Sequence, residues 1–357
     1  MKKLFMFAIP LSVCNLRCHY CYLTKRSSNF EGVIPEMKFT PEEVAYAIRQ
    51  ERVGGPGFIN LCADGETLLT PGLDRYVGLL AEEGHYIEIV SNMVLTKYLD
   101  KVLSLGREVL GHVEFKCSFH YLQLRERGLL ETFADNVNRA YDAGASITVE
   151  MTPSDELIPY IEEVKDFSLR HFGALPHVTI ARDDSTRGIE RLTSLTREEH
   201  DRIWSSFNSG FFDFKNEVFG VRRREFCYAG SWSYYVNMAT GDAVQCYGGA
   251  SVGNLFSDPD SPLPEKPIGR CQIAHCYNGH AFLTMGLIPG LTSVRFGDIR
   301  DREREDGSHW LQPGLKAFFN ETVSESNEEI NAVDKARYIA ESAASSVAHG
   351  IARRLRS

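Results

Sequence analysis

Between residues 14 and 21 the chain reads Cys14-Asn-Leu-Arg-Cys18-His-Tyr-Cys21. Three thiols fall inside one short turn, and a tight turn with that spacing can aim three sulfurs at one point. Thiolates are soft ligands that select Fe–S clusters, zinc or copper(I). A cubane cluster takes four Cys, so a run that supplies three leaves one iron open to a small molecule. A second group, Cys227, Cys246, Cys271 and Cys276, lies far downstream. Four thiols suffice for one fully ligated cluster or for a structural four-Cys zinc site, and the sequence leaves both open. Cys62 and Cys117 stand apart in apolar, strand-like runs and read as small core residues.

C-x3-C-x2-C with an aromatic before the last Cys is the signature of radical S-adenosylmethionine (radical SAM) enzymes, and Tyr20 fills the aromatic slot. The chain resembles that family over about residues 3–280. The resemblance implies a [4Fe–4S] cluster on Cys14, Cys18 and Cys21 whose open iron chelates the amino and carboxylate groups of SAM. Cleavage to methionine and a 5′-deoxyadenosyl radical would follow, and the radical would remove a hydrogen atom from substrate. Asp64-Gly65-Glu66 sits where the family carries Gly-Gly-Glu, so Asp64 departs from the pattern while Glu66 keeps the carboxylate expected near the SAM ammonium. By the same resemblance Ser91, Asn92 and Ser118 contact SAM, and Arg182 pairs with its carboxylate. His120 and Glu150 are the expected catalytic groups, and His19 is a loop residue.

Downstream, Cys227, then Gly241 followed by four residues and Cys246, then Cys271 and Cys276, resemble the auxiliary-cluster modules called twitch or SPASM domains. A full SPASM pattern has seven Cys, so the single-cluster twitch form is the closer match. It implies a second, auxiliary Fe–S cluster.

The elements that must position these groups can be read in order. Residues 3–9 are a near-continuously apolar, buried parallel strand. Pro10 and Val13 argue against a cleaved signal peptide at this start. Thr40-Pro-Glu-Glu43 opens a helix with a capping box. Strands are expected at 57–62, 86–90, 113–119, 147–151 and 178–181. Helices are expected from Thr70-Pro71 to Gly84, and over 98–110, 131–142 and 159–171. Six strand–helix alternations mean a parallel sheet with helical crossovers. The resemblance selects a partial (β/α)6 barrel, an α/β fold with its ligands at the carboxyl ends of the strands. Ser118 and His120 then share the interior face, and Cys117 turns away. Residues 182–225 read as a linker with one helix capped by Thr196. Strands at 234–238 and 243–247 flank the Ala239-Thr-Gly-Asp242 turn as a hairpin. Trp310 is an anchor aromatic. A long helix is expected from the Ser326 cap to about Leu355, with Ile330, Ile339, Ala343, Val347 and Ile351 on one face. The expected domains are a radical SAM core (1–220), a twitch-like module (221–285) and a C-terminal helical extension (286–357).

The 357-residue chain is 43% hydrophobic and carries a net charge of −9 with no long basic run, which argues against nucleic acid as a partner. No stretch approaches the roughly 18 apolar residues of a membrane span. Oxygen-sensitive clusters and the lack of a signal peptide point to a reducing cytoplasm, with a flavodoxin or ferredoxin as electron donor. The cluster motif begins at residue 14, leaving no leader-binding domain before it. That favours a small polar substrate, sugar- or aminocyclitol-like. Modification of a ribosomal peptide (oxidation, cross-link or epimerisation) is the alternative, and a non-catalytic Fe–S or zinc sensor is a reading of another class.

Overall fold

A computed structural model describes residues 1–21, 32–186, 188–247, 249–276 and 278–342. Its centre is one nine-stranded sheet. The core strands are β1 (Leu4–Ile9), β2 (Phe58–Ala63), β3 (Tyr86–Ser91), β4 (Val113–Ser118), β5 (Ser146–Met151) and β6 (His177–Val178). They pair in parallel and in chain order. This is the partial barrel: an α/β sheet curled by helical crossovers, not closed on itself.

Successive side chains on these strands alternate between two environments, as the period of two requires. Ile87, Ile89, Phe115, Cys117, Ile147 and Val149 are fully buried against the helices. The opposite face carries Asn60, Cys62, Glu88, Lys116, Ser118 and Glu150, which line the barrel interior. Cys62 therefore belongs to the cavity wall and is not the core residue expected, because it lies on the same face as Asn60.

The capping box on Thr40 and Glu43 is present, with Glu43 N donating to Thr40 Oγ1 at 3.2 Å. Several boundaries move. The second helix starts at Leu73 behind Gly72, not at Thr70, because Thr67–Leu69 first form a 3-10 turn held by Glu66. Residues 98–110 divide into Thr96–Leu103 and Arg107–Leu110 at Gly106, whose φ of +86° suits glycine. The sixth strand is only two residues long. Arg182 instead lies in a small antiparallel hairpin, β7 (Arg182–Asp183) with β8 (Glu190–Arg191).

The stretch expected as a linker with one helix carries two, Arg197–Trp204 and Gly210–Val218. The second hides behind three Phe residues, which disfavour helix intrinsically. Tertiary packing buries all three, and Ser209 Oγ caps the start by accepting from Phe212 N.

After β9 (Phe226–Cys227), the expected hairpin is β10 (Ser233–Asn237) with β11 (Asp242–Val244), extended by β12 (Ser251–Asn254). Gly241 turns it at φ +77°. β10 also pairs in parallel with β1, Leu4 opposite Ser233, so the hairpin continues the core sheet. β13 (Gly269–Arg270) pairs with β9. Trp310 is the anchor expected, buried with its indole N–H donating to Phe172 O at 3.0 Å.

The C-terminal helix is shorter at its start than the sequence suggests. Thr322, not Ser326, caps a brief helix Val323–Ser326, and the chain is extended at Asn327. Helix resumes over 332–342, where Asn331 Oδ1 accepts from Asp334 N at 2.9 Å. Ala343, Val347, Ile351 and Leu355 lie outside the described residues. Among the described residues no helix is long and apolar enough to cross a membrane.

Candidate active site

The carboxyl ends of the core strands open onto a cavity of about 280 Å³. Cys14, Cys18 and Cys21 line one wall of it. Their loop is fixed by short-range contacts: Cys21 N donates to Cys18 O at 3.1 Å, and Leu16 is buried beneath. Asn15 ties the loop to the barrel, accepting from Asn92 Nδ2 at 2.8 Å through Oδ1 and from Arg127 at 2.9 Å through its carbonyl. None of the three is in a disulfide among the described residues. Burial, then the neighbouring sulfurs, pushes Cys18 up to about 12.

The loop after β2 presses directly on this turn. Glu66 N donates to Val13 O at 2.9 Å. A Cβ on Gly65 would stand 2.0 Å from Val13 O, so only glycine fits. Glu66 itself is buried and accepts from Ser91 Oγ at 2.7 Å, Asn92 N at 2.9 Å and Leu68 N at 3.0 Å. Burial raises its pKa, opposed by those three donors. Glu66, Ser91 and Asn92 thus form one hydrogen-bonded arch facing the thiols.

Ser118 and His120 also line the cavity. His120 Nδ1 and Tyr20 OH are hydrogen bonded at 2.8 Å, and burial lowers the imidazole to about 4, so it is neutral. His19 lies outside, paired with Glu156 at 2.9 Å. Arg182 reaches the cavity while its Nε contacts Asp184 at 2.7 Å.

The floor is ionic. Arg300, fully buried on the helix Phe296–Arg300, meets Glu114 at 2.8 Å, Glu150 at 2.9 Å and Glu88 at 3.5 Å. Lys116 adds a second contact to Glu150 at 3.2 Å. Burial alone would raise the Glu150 pKa; the Lys116 and Arg300 charges outweigh it and hold it down to about 2. Burial pushes Glu88 up to about 7, against the pull of Lys116. Sequence reasoning found Glu150 but missed Glu88, Lys116, Lys215 and Arg300. The strand charges carried a signal: Glu88, Glu114, Lys116 and Glu150 alternate with apolar neighbours, which marks a polar interior face. Arg300 and Lys215 carried none, since their burial is set by helices distant in sequence. Tyr235, Tyr247, His280 and Phe296 close the far wall.

The second thiol group is assembled differently. The β9–β13 pairing sets Gly269 opposite Cys227, which brings Cys271 alongside it. Cys227, Cys246, Cys271 and Cys276 line one small cavity of about 40 Å³, walled by Ile268, Leu283, Leu287 and Ile288. Burial pushes Cys227 up to about 12. Among the described residues no three of His, Cys, Asp and Glu are gathered around a single metal ion.

Residues 9–166 match the radical SAM superfamily. The chain carries a radical SAM domain. Solved structures are similar to this chain. The chain is 14% identical to Streptococcus suis SuiB bound to S-adenosylmethionine, over 73% of this chain and 65% of that one, with a TM-score of 0.48. It thus spans just under two thirds of SuiB. Native anSMEcpe with bound AdoMet is 13% identical over 73% of this chain and 79% of that one, TM-score 0.50. BtrN in complex with AdoMet and 2-DOIA is 16% identical over 72% and 83%, TM-score 0.38. No curated protein matches the sequence.

The family implies a [4Fe–4S] cluster and SAM, and the residues present fit both. Three thiols on one loop border a cavity, and a buried carboxylate with hydroxyl and amide partners faces them.

Proposed function

We propose that this radical SAM enzyme removes a hydrogen atom from a small polar substrate, of sugar or aminocyclitol type, held in the 280 Å³ cavity. One observation carries the reading: the thiol triad, the Glu66–Ser91–Asn92 arch and an ionic floor all line the same space. Cluster and SAM, when bound on Cys14, Cys18 and Cys21, supply a 5′-deoxyadenosyl radical there. The chain's own residues orient and enclose. Asn15 and Asn92 hold the loop, and Glu66 offers carboxylate oxygen to the SAM ammonium. Ser118 offers a hydroxyl from the end of β4, and Arg182 a guanidinium from the β7–β8 hairpin. Tyr20 and His120 form a neutral pair at the wall, and Glu150 stays ionised on the floor. Enclosure by Tyr235, Tyr247 and Phe296 keeps water from a reactive intermediate.

Cys227, Cys246, Cys271 and Cys276 are the proposed ligands of an auxiliary Fe–S cluster in a twitch-like module at 221–285, between the core (1–220) and the C-terminal extension (286–357). These four thiols would hold the cluster, which would supply one-electron chemistry or help to position the substrate. A flavodoxin or ferredoxin in a reducing cytoplasm supplies electrons. The test is anaerobic reconstitution, iron analysis and incubation with dithionite and SAM. About eight irons per chain and deoxyadenosine formation are expected. Roughly four irons plus one zinc would overturn the auxiliary cluster, and absence of deoxyadenosine would overturn the enzyme reading. Coupled turnover of a precursor peptide alone would move the substrate to the peptide class.

A further inference from the structure

We propose that the cavity floor holds an oxyanion subsite, built on Lys215 and His280, that binds a carboxylate or phosphate group of the substrate. The proposal rests on the placement of substrate in this cavity.

Lys215 lies on the helix Gly210–Val218, is only 5% exposed, and points into the cavity. Its ammonium donates to Thr179 Oγ1 and sits 5.0 Å from the centre of the Phe211 ring. Burial pushes its pKa down to about 7 against the pull of the Glu150 carboxylate, and Lys215 makes no ion pair within 4 Å among the described residues. The cavity's carboxylates are already engaged: Glu150 by Lys116 and Arg300, Glu88 by Asn60 and Arg300. A buried ammonium that no carboxylate touches is costly to keep charged, and an anion in contact with it offsets that cost.

His280 supplies the second observation. It is 7% exposed, lines the same cavity, and its Nδ1 is buried without a hydrogen-bond partner among the described residues. Its ring lies 4.8 Å from Phe211, the ring over which Lys215 also sits. Burial, then the charges of Lys215, Lys116, Arg300 and Arg182, keeps it neutral. A neutral imidazole has one N–H to donate. The floor therefore offers a buried amine that no carboxylate touches and, beside it, a ring nitrogen without a partner among the described residues. An oxyanion suits all of these features. The ammonium of an aminocyclitol opposes them, which narrows the small polar class to acidic or phosphorylated molecules.

The test uses cluster-loaded protein with 13C-labelled lysine, followed by NMR. The Lys215 resonance is assigned by its disappearance in Lys215→Arg and, should that variant not fold, by its displacement in His280→Phe. Inorganic phosphate, acetate and ethanolamine are titrated separately. A saturable shift of the Lys215 resonance with phosphate or acetate, and none with ethanolamine, is expected. The anion that saturates first assigns the group as phosphate or carboxylate. In His280→Phe the anion should bind about tenfold more weakly, the loss of one hydrogen bond to a charged group. A resonance unmoved by both anions, or moved equally by ethanolamine, overturns the subsite. SAM cleavage by the same sample is measured in parallel. Its absence with an intact anion shift would sink the proposed function and keep the subsite; the reverse result would sink only the subsite.

Discussion

The two thiol groups of this chain differ in everything but their ligand atoms. Cys14, Cys18 and Cys21 sit on one loop, beside a large cavity with a hydrogen-bonded arch and an ionic floor. Cys227, Cys246, Cys271 and Cys276 converge from distant points of the chain on a pocket one-seventh that size, walled by aliphatic side chains. Three ligands with polar space in front suit a metal centre that must share a coordination site. Four ligands in an aliphatic enclosure suit one that does not. The difference lies in the surroundings as much as in the thiol count.

Single substitutions should separate the two regions. Cys18→Ala should abolish SAM-dependent deoxyadenosine formation, while Cys246→Ala should retain it in the presence of dithionite and lose about half the iron. Equal loss of deoxyadenosine in both proteins, read by chromatography, would erase the functional contrast. Next, Arg300→Met should destabilise the fold by about 3–5 kcal/mol, because it strands three buried carboxylates without their shared cation. Urea unfolding measures this, and an unchanged midpoint would show that the ionic floor is not held by Arg300. Gly65→Ala forces the Glu66 loop away from Val13 and should cost about 1–3 kcal/mol. Its iron content should fall at the first centre and hold at the second.

The smallest effect is expected at Glu88. Burial pushes its carboxyl up to about 7, above the roughly 4.3 of an exposed glutamate. Below about pH 4.3 the group is protonated in both states; stability is then lost as pH rises through 7. Glu88→Gln removes that loss, so its melting temperature should gain on the wild type more at pH 8 than at pH 5. A constant difference across that range would place Glu88 outside the titrating network.

Much of this was legible in the sequence where the signal is local. The three-Cys turn, the strand–helix alternation, the Thr40 and Thr196 capping boxes and the Trp310 anchor all follow from neighbours within a few residues. What depended on distant partners was not. Cys62 looks like a core residue until the register places it beside Asn60 on the cavity face. Lys215 and Arg300 look like ordinary surface helix charges, yet both are buried because their helices pack under the barrel. Ser326 looks like a helix cap, but Thr322 outcompetes it with a complete capping box to Glu325.

The parallel register of β1 with β10 carries one more consequence. Leu4 is flanked by Phe58 on one side and Ser233 on the other. During synthesis the nascent chain can zip the first of these edges early, but the second must wait until the distal hairpin emerges. Contacts so remote in sequence form late and slowly. The strand that leads into the three-Cys turn is therefore secured on both flanks only once residues 233–237 have been made and have folded back onto it.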